Sequence, residues 1–484
     1  MRSFFVASLI YWVTLSITLL NYGSVELLTV TLLAVPIFLL LIALLVTVGL
    51  PKYTGSTLWM TAILMVLLFT WIAVQTTLDV SLPFSEPAWE EIRGFLPDAP
   101  TRISQSPEDD RAAALRIAVP FGVFMVGLLL FSTDERATRA LNILSVLAGL
   151  ISVFSIAQFY IAPDRLLFDA KKAYLSSLTG IFVNRNTAAT FFGLGLLLNF
   201  SLVETFLRKM NFRDLLAVIA EGTALSPVIE KKLWYAALHF ALLCSTLTAL
   251  MLTKSRGGIG AAFIAVCFLL LLKAFRTSNK PSERPTTARR RPWVRLIVGA
   301  GICSAIFLIF FSLGQRVLLR TQIQDTFEDG RFCVMPSILS AVREHFLLGT
   351  GLTGFSAIFP AYRDPVCGII GAWDRAHNVY LEGVLTLGIV FIVSALIVSL
   401  WLTIVFVIGL IRRRSARFAG ELGLSSLLMV GIHSAIDFSL QISGLAIFFA
   451  AMLGPIVTLS LRPPGNKRSK SISVAAPSIQ ISNK

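Results

Sequence analysis

The segment Val25–Val48 reads VELLTVTLLAVPIFLLLIALLVTV and decides the fold of the chain. It holds one ionisable residue, Glu26, near its start, and its apolar positions run on without alternating with polar ones. About 20 apolar residues in a helix cross the hydrocarbon core of a bilayer. A strand of a membrane barrel instead alternates lipid-facing and lumen-facing side chains. The segment therefore predicts a transmembrane helix.

Runs of the same kind recur along the 484 residues. Hydrophobic residues make up 56% of the chain and charged residues 14%, well below the ~25% that is usual in soluble domains. We predict an all-α polytopic membrane protein with about twelve transmembrane helices. The predicted spans are Phe4–Leu20, Val25–Val48, Leu58–Leu78, Leu115–Phe131, Leu141–Ile161, Ala188–Phe206, Leu233–Thr253, Ile259–Ala274, Val294–Leu313, Gly383–Leu410, Leu422–Phe438 and Gly444–Leu461.

The charges between the spans indicate the orientation of the chain. If both termini are cytoplasmic, the inner loops hold roughly 26 of the 42 lysines and arginines but about 8 of the 27 acidic residues. This is the distribution that the positive-inside rule describes, so we expect both termini to be cytoplasmic. The net charge of +15 then reports orientation and contact with anionic membrane lipids, and we expect no nucleic-acid partner.

The chain reads as a single transmembrane domain over residues 1–461. Two long loops are predicted outside, over residues 79–114 as irregular structure and over residues 314–382 between the ninth and tenth helices. A basic cytoplasmic loop is predicted over residues 276–293. A disordered basic cytoplasmic tail, rich in proline, lysine and serine, is predicted over residues 462–484.

Two of the five cysteines, Cys333 and Cys367, fall in the larger outside loop. An oxidising compartment would permit a disulfide between them, and the paired and unpaired states both remain open. The chain has no CxxC motif and no Cys/His spacing typical of a zinc site. We therefore expect no metal and no cofactor.

Three basic residues lie where predicted spans meet the outside. Arg185 lies in FVNRN (182–186), Arg256 in the turn KSRGG (254–258), and His377 in WDRAHN (373–378) where the larger loop re-enters the membrane. Arginine binds phosphate oxygens with a fork of donors, and histidine takes up a proton near neutral pH. Structural roles are also open: arginines snorkel to headgroups, a loop histidine can be structural, and the glycines can permit close helix packing.

The order and spacing of several short motifs are similar to those of the O-antigen ligase/polymerase family of bacterial inner-membrane glycosyltransferases. The similarity extends from about the third predicted span to the twelfth. It rests on FVNRN (182–186), SRGG (255–258), the stretch from Gly330-Arg331 through Gly349-Thr350-Gly351 to Phe355 and Pro360, AHNVYLE (376–382), Gly388-Ile389 and HSAIDF (433–438).

This resemblance implies a metal-independent glycosyl transfer at the periplasmic face of the inner membrane. A glycan linked to undecaprenyl diphosphate would move to a hydroxyl of lipid A–core, in a ligase, or of a growing polysaccharide, in a polymerase; both stay open. Arg185 and Arg256 would bind the diphosphate and stabilise its developing charge, and His377 would orient or deprotonate the acceptor hydroxyl. We expect inversion at the anomeric carbon, because no paired nucleophilic carboxylate stands out.

Further residues of the motifs are weaker candidates. His433 and Asp437 are four residues apart on one helical face, and we prefer a structural hydrogen-bonded pair to a functional one. Glu382 is expected to orient His377. Arg331 opens a segment, extending through Val342, that is predicted to form an amphipathic helix. The candidate substrate-binding residues are Arg331, Arg363, Arg375, Asn378 and Glu382.

Two other functions use the same sequence features. A secondary transporter of a small anion has a similar number of spans, but its key charges usually lie near the membrane midplane on interrupted helices. Here the candidate charges lie at the outer edge. A protein O-oligosaccharyltransferase would use the same chemistry on a protein acceptor.

Overall fold

The computed structural model describes residues 2–82, 84–208, 227–275, 333–367 and 373–463. Most of these residues are helical, and the described part has one small hairpin, β1 (Arg165–Leu166) and β2 (Asp169–Ala170). The helices are α1 (Arg2–Leu20), α2 (Leu27–Val48), α3 (Gly55–Thr77), α4 (Pro87–Arg93), α5 (Pro107–Ala113), α6 (Leu115–Leu130), α7 (Asp134–Ile161), α8 (Arg185–Arg208), α9 (Pro227–Leu252), α10 (Arg256–Ala274), α11 (Met335–Glu344), α12 (Gly354–Tyr362), α13 (Val379–Leu387), α14 (Ile389–Arg412), α15 (Arg417–Ser434) and α16 (Ser443–Leu461).

Within the described ranges, nine helical stretches are long and apolar enough to cross a membrane, and α1 contributes a shorter apolar helix. The chain is therefore an all-α polytopic membrane protein, as predicted. The nine stretches are Leu27–Val48, Gly55–Thr77, Pro107–Leu130, Asp134–Ile161, Arg185–Arg208, Ile229–Leu252, Arg256–Ala274, Ile389–Arg412 and Ser443–Leu461.

Three predicted spans stand apart from these nine. The first is the shorter apolar helix within α1, and the ninth, Val294–Leu313, lies outside the described residues. The eleventh is observed as α15, which starts earlier than predicted and includes the charged Arg417 and Glu421. The number twelve and the orientation in the membrane stay predictions.

Several predicted loops are described only in part. The basic loop over residues 276–293, the start of the larger loop over residues 314–332, and the tail from residue 464 onward lie outside the described residues. The basic, periplasmic and disordered nature assigned to these segments stays a prediction.

Helix α16 is the central helix of the bundle. In its most apolar 18-residue window 89% of the residues are buried inside the protein, compared with 17% for α14, whose apolar face is left for lipid. Close contact with α6 depends on a pair of small residues, because a Cβ at Gly454 would lie 3.3 Å from the backbone of Gly127. Small residues at such crossings let helix backbones approach in membranes.

The predicted tenth span, Gly383–Leu410, is divided into α13 and α14 at Gly388. This glycine has φ +63°, and a Cβ there would lie 2.3 Å from Leu347 O, so a larger residue does not fit. Side chains of α3 bind the carbonyl groups at the break: Trp71 Nε1 donates to Leu387 O (3.0 Å) and Gln75 Nε2 donates to Thr386 O (2.9 Å). The end of α13 is therefore attached to α3.

The predicted irregular loop over residues 79–114 contains two short helices, α4 and α5, and packs against the larger loop. Asp110 in α5 is buried and accepts hydrogen bonds from Thr353 N (2.7 Å), Thr353 Oγ1 (2.6 Å) and Ser104 Oγ (2.6 Å). The expectation of irregular structure was wrong in this respect, because Pro87 and Pro107 start helices instead of interrupting them.

The larger loop is folded around a disulfide. Cys333 and Cys367 are bonded, with a Cα–Cα distance of 5.7 Å, which resolves the alternative left open by the sequence. The predicted amphipathic helix is observed as α11, with Ile338, Ala341 and Val342 buried. Arg331 lies outside the described residues.

The two ends of the bundle can be distinguished from single helices. Helix α10 runs from Arg256 at one end, which also carries His377, to Lys273 at the other. At that other end Lys273 Nζ lies 3.1 Å from both Glu204 and Glu421, and Arg417 Nε lies 3.0 Å from Glu421. We call these four residues the opposite-end cluster.

Candidate functional site

Three capped helix starts lie at the His377 end of the bundle. Asn184 Oδ1 accepts Asn186 N–H (2.7 Å) at the start of α8, and Ser255 Oγ accepts Gly258 N–H (3.2 Å) at the start of α10. Asn378 Oδ1 accepts the backbone N–H groups of Tyr380 and Leu381 (3.0 and 3.1 Å) at the start of α13. Such caps fix where a helix begins. They make Arg185 and Arg256 first helical residues and place His377 directly before a cap.

A buried amide joins three of the sequence motifs. Asn186 Nδ2 donates to Asp437 Oδ2 (2.7 Å), and Asn186 Oδ1 accepts from Ser255 Oγ (2.7 Å). Ser439 Oγ also donates to Asp437. His377 Nδ1 lies 3.9 Å from Asp437 Oδ2, which is too long for a hydrogen bond but close enough for charge to act. We call Asn186, Ser255, Asp437 and His377 the His377 site.

His377 has an unusual backbone conformation. Its φ is +53°, a region that non-glycine residues rarely adopt and that is often retained at functional sites. The ring packs edge-to-face against Trp373 and Phe438, with centroid distances of 5.3 and 4.9 Å. Nδ1 is buried and makes no hydrogen bond within the described part of the chain. The ring orientation is therefore set by packing.

Glu382 is held next to His377 through the preceding residues. Its Oε2 accepts Ala376 N–H (2.8 Å), its Oε1 accepts from Arg375 Nη1 (2.9 Å), and its side chain is buried. Glu382 thus fixes the backbone that leads into His377. The observed contacts of Glu382 are with the two residues before His377. Its role in orienting His377 for catalysis stays a prediction.

Arg185 lies in a group of cations. It is buried, its Nη1 donates to Ser177 Oγ (3.5 Å), and its guanidinium lies 5.3 Å from the centre of the Tyr174 ring. Lys171 Nζ donates to Ser177 O (2.5 Å), and burial lowers the pKa of Lys171 to about 8. Burial, followed by the positive charge of Arg185, lowers the pKa of Lys254. Sequence reasoning did not single out Lys171 or Lys254 for this group.

Arg256 is exposed at the start of α10, and the glycines after it permit close packing. A Cβ at Gly257 would lie 2.4 Å from Ile436 Cδ1, and one at Gly258 would lie 2.5 Å from Ala189 Cβ. The structural role left open for these glycines is therefore present. It brings α10 against α8 and the segment that carries Asp437.

The other predicted residues have several positions. His433 Nδ1 is 2.6 Å from Thr190 Oγ1, and Asp437 N donates to His433 O (3.0 Å). Asn378 Nδ2 donates to Ala435 O (2.8 Å), so this side chain already serves as a cap and a brace. Arg363 ends α12 within the larger loop. The substrate-binding roles predicted for Asn378 and Arg363 stay predictions.

Two cavities lie beside the His377 site. The smaller, about 530 Å³, is lined by His377, Trp373, Phe438, Asn184 and Thr187 among others. The larger, about 800 Å³, is lined mostly by apolar side chains of α3, α6, α14 and α16. Four residues line both cavities: Arg116, Asp374, Arg375 and Gln441.

Arg116 was missed by sequence reasoning, although it falls inside the predicted fourth span, Leu115–Phe131. An ionisable residue within a span is expected to have a function, and that rule would have identified it. In the described part of the chain, no group of three His, Cys, Asp or Glu side chains is placed to hold a metal ion. Metal independence of the reaction remains an expectation.

The fold and site define a class: a multi-pass membrane protein with a half-buried histidine and several cations at one end of its helical bundle. Residues 240–396, roughly a third of the chain, match the family model described as O-antigen ligase. This match confirms the predicted resemblance to the O-antigen ligase/polymerase family over the matched residues. No curated protein matches the chain significantly.

The matched segment contains many but not all of the site residues. Arg256, Arg363, Arg375 and His377 fall within it, whereas Arg185, His433 and Asp437 lie outside. The family implies a bacterial membrane enzyme of the glycosyltransferase type, with lipid-linked glycans and polysaccharides as substrates in general.

Proposed function

We propose that the protein transfers a glycan from undecaprenyl diphosphate to an acceptor hydroxyl at the periplasmic face of the inner membrane, without a metal ion. The observation that carries the proposal is the bridge made by Asn186. Its side chain binds Ser255 beside Arg256 and binds Asp437, which lies 3.9 Å from His377. This network therefore connects Arg256, which is suited to bind a diphosphate, with His377, which is suited to accept a proton.

The donor diphosphate is assigned to Arg185 and Arg256. Both residues start helices, where unpaired N–H groups and the helix dipole favour anions. Lys254 adds a further positive charge beside Arg185. Preorganised cations stabilise negative charge that develops on a leaving group, and such stabilisation is commonly a large part of catalysis.

The acceptor hydroxyl is assigned to the smaller cavity, against the His377 ring. His377 Nδ1 faces Asp437, which leaves Nε2 as the nitrogen that takes the hydroxyl proton. The acceptor oxygen forms a bond to the anomeric carbon while the bond from that carbon to the phosphate oxygen breaks. Undecaprenyl diphosphate leaves with the electron pair, and attack from the opposite side inverts the anomeric carbon.

The disulfide supports the proposed side of the membrane. Cys333 and Cys367 lie in the same loop region as His377, and disulfides persist in oxidising compartments such as the periplasm.

The test is a transfer assay with purified full-length protein in nanodiscs, supplied with a labelled undecaprenyl-diphosphate glycan and a lipid A–core acceptor. Wild type is expected to form the transferred product, and His377→Gln is expected to lose it. His345→Gln is the matched control, because His345 lies in the same loop away from the His377 site. Movement of an anion across vesicles without any transfer would instead favour the transporter.

A deletion strain separates the acceptors. Loss of long-chain polymer, with single repeat units still reaching lipid A–core, indicates a polymerase. Loss of every glycan-capped form, with undecaprenyl-linked chains accumulating, indicates a ligase. Loss of glycan from a periplasmic protein alone indicates a protein O-oligosaccharyltransferase.

A further inference from the structure

Arg116 and Arg375 stand at the junction of the two cavities. Both guanidinium groups belong to residues that line the larger and the smaller cavity. Arg375 Nη1 binds Glu382 (2.9 Å) and Gln441 (3.4 Å). Arg116 Nη2 donates to Val25 O (3.1 Å), while its Nε is buried without a hydrogen bond among the described residues.

Within the described ranges Arg116 makes no ion pair, and Asp374 is the acidic residue that lines both cavities with it. Two guanidinium groups that line the same junction form a cationic site that can bind an anion. An arginine fork suits phosphate oxygens in particular.

The larger cavity suits the chain of a lipid. Apolar residues such as Leu64, Leu68, Phe121 and Phe449 form most of its wall. On α14 the lining extends from Phe391 to Leu402. At ~1.5 Å per residue this stretch is about 17 Å long, roughly half of the ~30 Å hydrocarbon core. The cavity therefore has the depth of one leaflet, with two arginines at its polar end.

We infer that the larger cavity binds an anionic membrane lipid, with the chain in the cavity and the phosphate between Arg116 and Arg375, and that this lipid anchors the acceptor glycan. The second part rests on the proposed function. Arg185 and Lys254, assigned to the donor, line neither cavity, whereas His377 lies on the smaller cavity that Arg116 and Arg375 share. Two lipid phosphates repel each other, and two separate cationic groups can bind one phosphate each.

The binding test uses purified full-length protein in a nonionic detergent and native mass spectrometry. The probe is dioleoyl phosphatidic acid, and dioleoylglycerol is the comparison because it has the same chains without the phosphate. Wild type is expected to retain phosphatidic acid. Arg116→Gln is expected to weaken this binding about tenfold or more, since a charge-assisted contact is lost, whereas Arg116→Lys keeps the charge and most of the binding.

Arg111→Gln is the matched control. Arg111 lies five residues before Arg116 in the sequence, and its side chain is half exposed beside Glu108. Ala395→Trp fills the larger cavity and is expected to abolish binding of the lipid. Equal binding of phosphatidic acid by wild type, Arg116→Gln and Ala395→Trp would overturn the inference. Each variant is first checked for a monodisperse elution profile, so that misfolded protein is not counted.

The transfer assay then assigns the lipid. Arg116→Gln is expected to raise the KM for the lipid acceptor about tenfold and to leave the KM for the donor within about twofold. A rise in the donor KM alone would overturn the assignment to the acceptor. No transfer by wild type, together with Arg116-dependent lipid binding, would reject the proposed function and keep the lipid site. Transfer by wild type, together with unaltered lipid binding by Arg116→Gln, would reject the lipid site and keep the proposed function.

Discussion

The two ends of the bundle bury ionisable groups in different ways. In the opposite-end cluster, Lys273 lies 3.1 Å from two glutamates and Arg417 lies 3.0 Å from one of them. At the same end Arg413, buried itself, lies 2.5 Å from Asp134. At the His377 end, Arg375 is paired with Glu382 but also lines both cavities, and Arg116 beside it has no ion pair within the described residues.

This difference separates a structural role from a functional one. Charges that are matched within the protein hold helices together, because the loss of one partner leaves the other buried. Cations that face a cavity are available to an anion that comes from outside. We therefore assign a structural role to the charged residues of the opposite-end cluster and a functional role to those at the His377 end. The variants described next test these two roles.

The largest effect is expected at His377. Replacement of His377 by alanine removes the proposed base, and general-base catalysis contributes ~10²–10⁴-fold to the rate. We expect the turnover of purified protein in the transfer assay to fall by about that factor, with the melting temperature changed little. A variant with more than about a third of wild-type turnover would show that His377 is not the base.

The next effect is expected in stability at the other end. Lys273→Met removes the cation between Glu204 and Glu421, and we expect the free energy of unfolding to fall by about 3 kcal/mol. Turnover per folded molecule should stay within about twofold, because the opposite-end cluster lies away from His377. The exposed Arg139, paired with Glu135, is the control, and Arg139→Gln should change stability by less than about 1 kcal/mol. Unaltered thermal stability of Lys273→Met would contradict the structural role.

A smaller effect on turnover is expected at Asp437. In Asp437→Asn the side chain keeps its shape and can still accept from Asn186 Nδ2, but the charge 3.9 Å from His377 Nδ1 is lost. We expect kcat to fall by about tenfold to a hundredfold, because the carboxylate stabilises the protonated ring. The matched change at the other end, Glu421→Gln, should lower stability without lowering kcat. The comparison between the ends fails if Glu421→Gln reduces kcat as much as Asp437→Asn does.

The smallest effect concerns pH and the contact between the two loops at the His377 end. Burial raises the pKa of Glu86 to about 7, and its Oε1 lies 3.3 Å from His345 Nδ1. A raised folded pKa means that this contribution to stability is present at acid pH and is lost as pH rises through about 7. Burial lowers the pKa of His345 from 6.5, so above that pH His345 is neutral in the folded protein.

We therefore expect the melting temperature of wild type to fall relative to that of Glu86→Gln between pH 6.5 and 8, because Lys171 and His345 contribute equally to both proteins. Glu91→Gln, an exposed change on the same short helix α4, is the control and should follow wild type. A melting-temperature difference between wild type and Glu86→Gln that stays constant over this window would show that Glu86 is ionised in the fold throughout it.

Much of the fold could be predicted because long apolar runs report helices directly. Val25–Val48 and the other runs correspond to observed helices wherever the structure describes them. Gly388 was harder, since the run over residues 383–410 is continuous in hydropathy and the break depends on contacts with Leu347 and α3. The start of α15 at Arg417 was missed because Arg417 and Glu421 are charged, and their pairing in a buried cluster depends on tertiary structure.

The candidate site could be predicted in its parts but not in its connections. Arg185, Arg256 and His377 were identified from motifs, yet nothing in their spacing shows that Asn186 joins Ser255 to Asp437. The prediction paired Asp437 with His433 because they are four residues apart, while the fold also brings Asp437 to His377 across 60 residues. Such contacts arise from tertiary packing, which local sequence does not encode.

The break at Gly388 has a mechanical consequence. Helix α13 is only nine residues long, its end is bound to Trp71 and Gln75 of α3, and its start directly follows His377. It therefore acts as a short rigid lever between a wall of the larger cavity and the histidine. Through these two hydrogen bonds a displacement of α3 would be transmitted to α13 and so to its start beside His377.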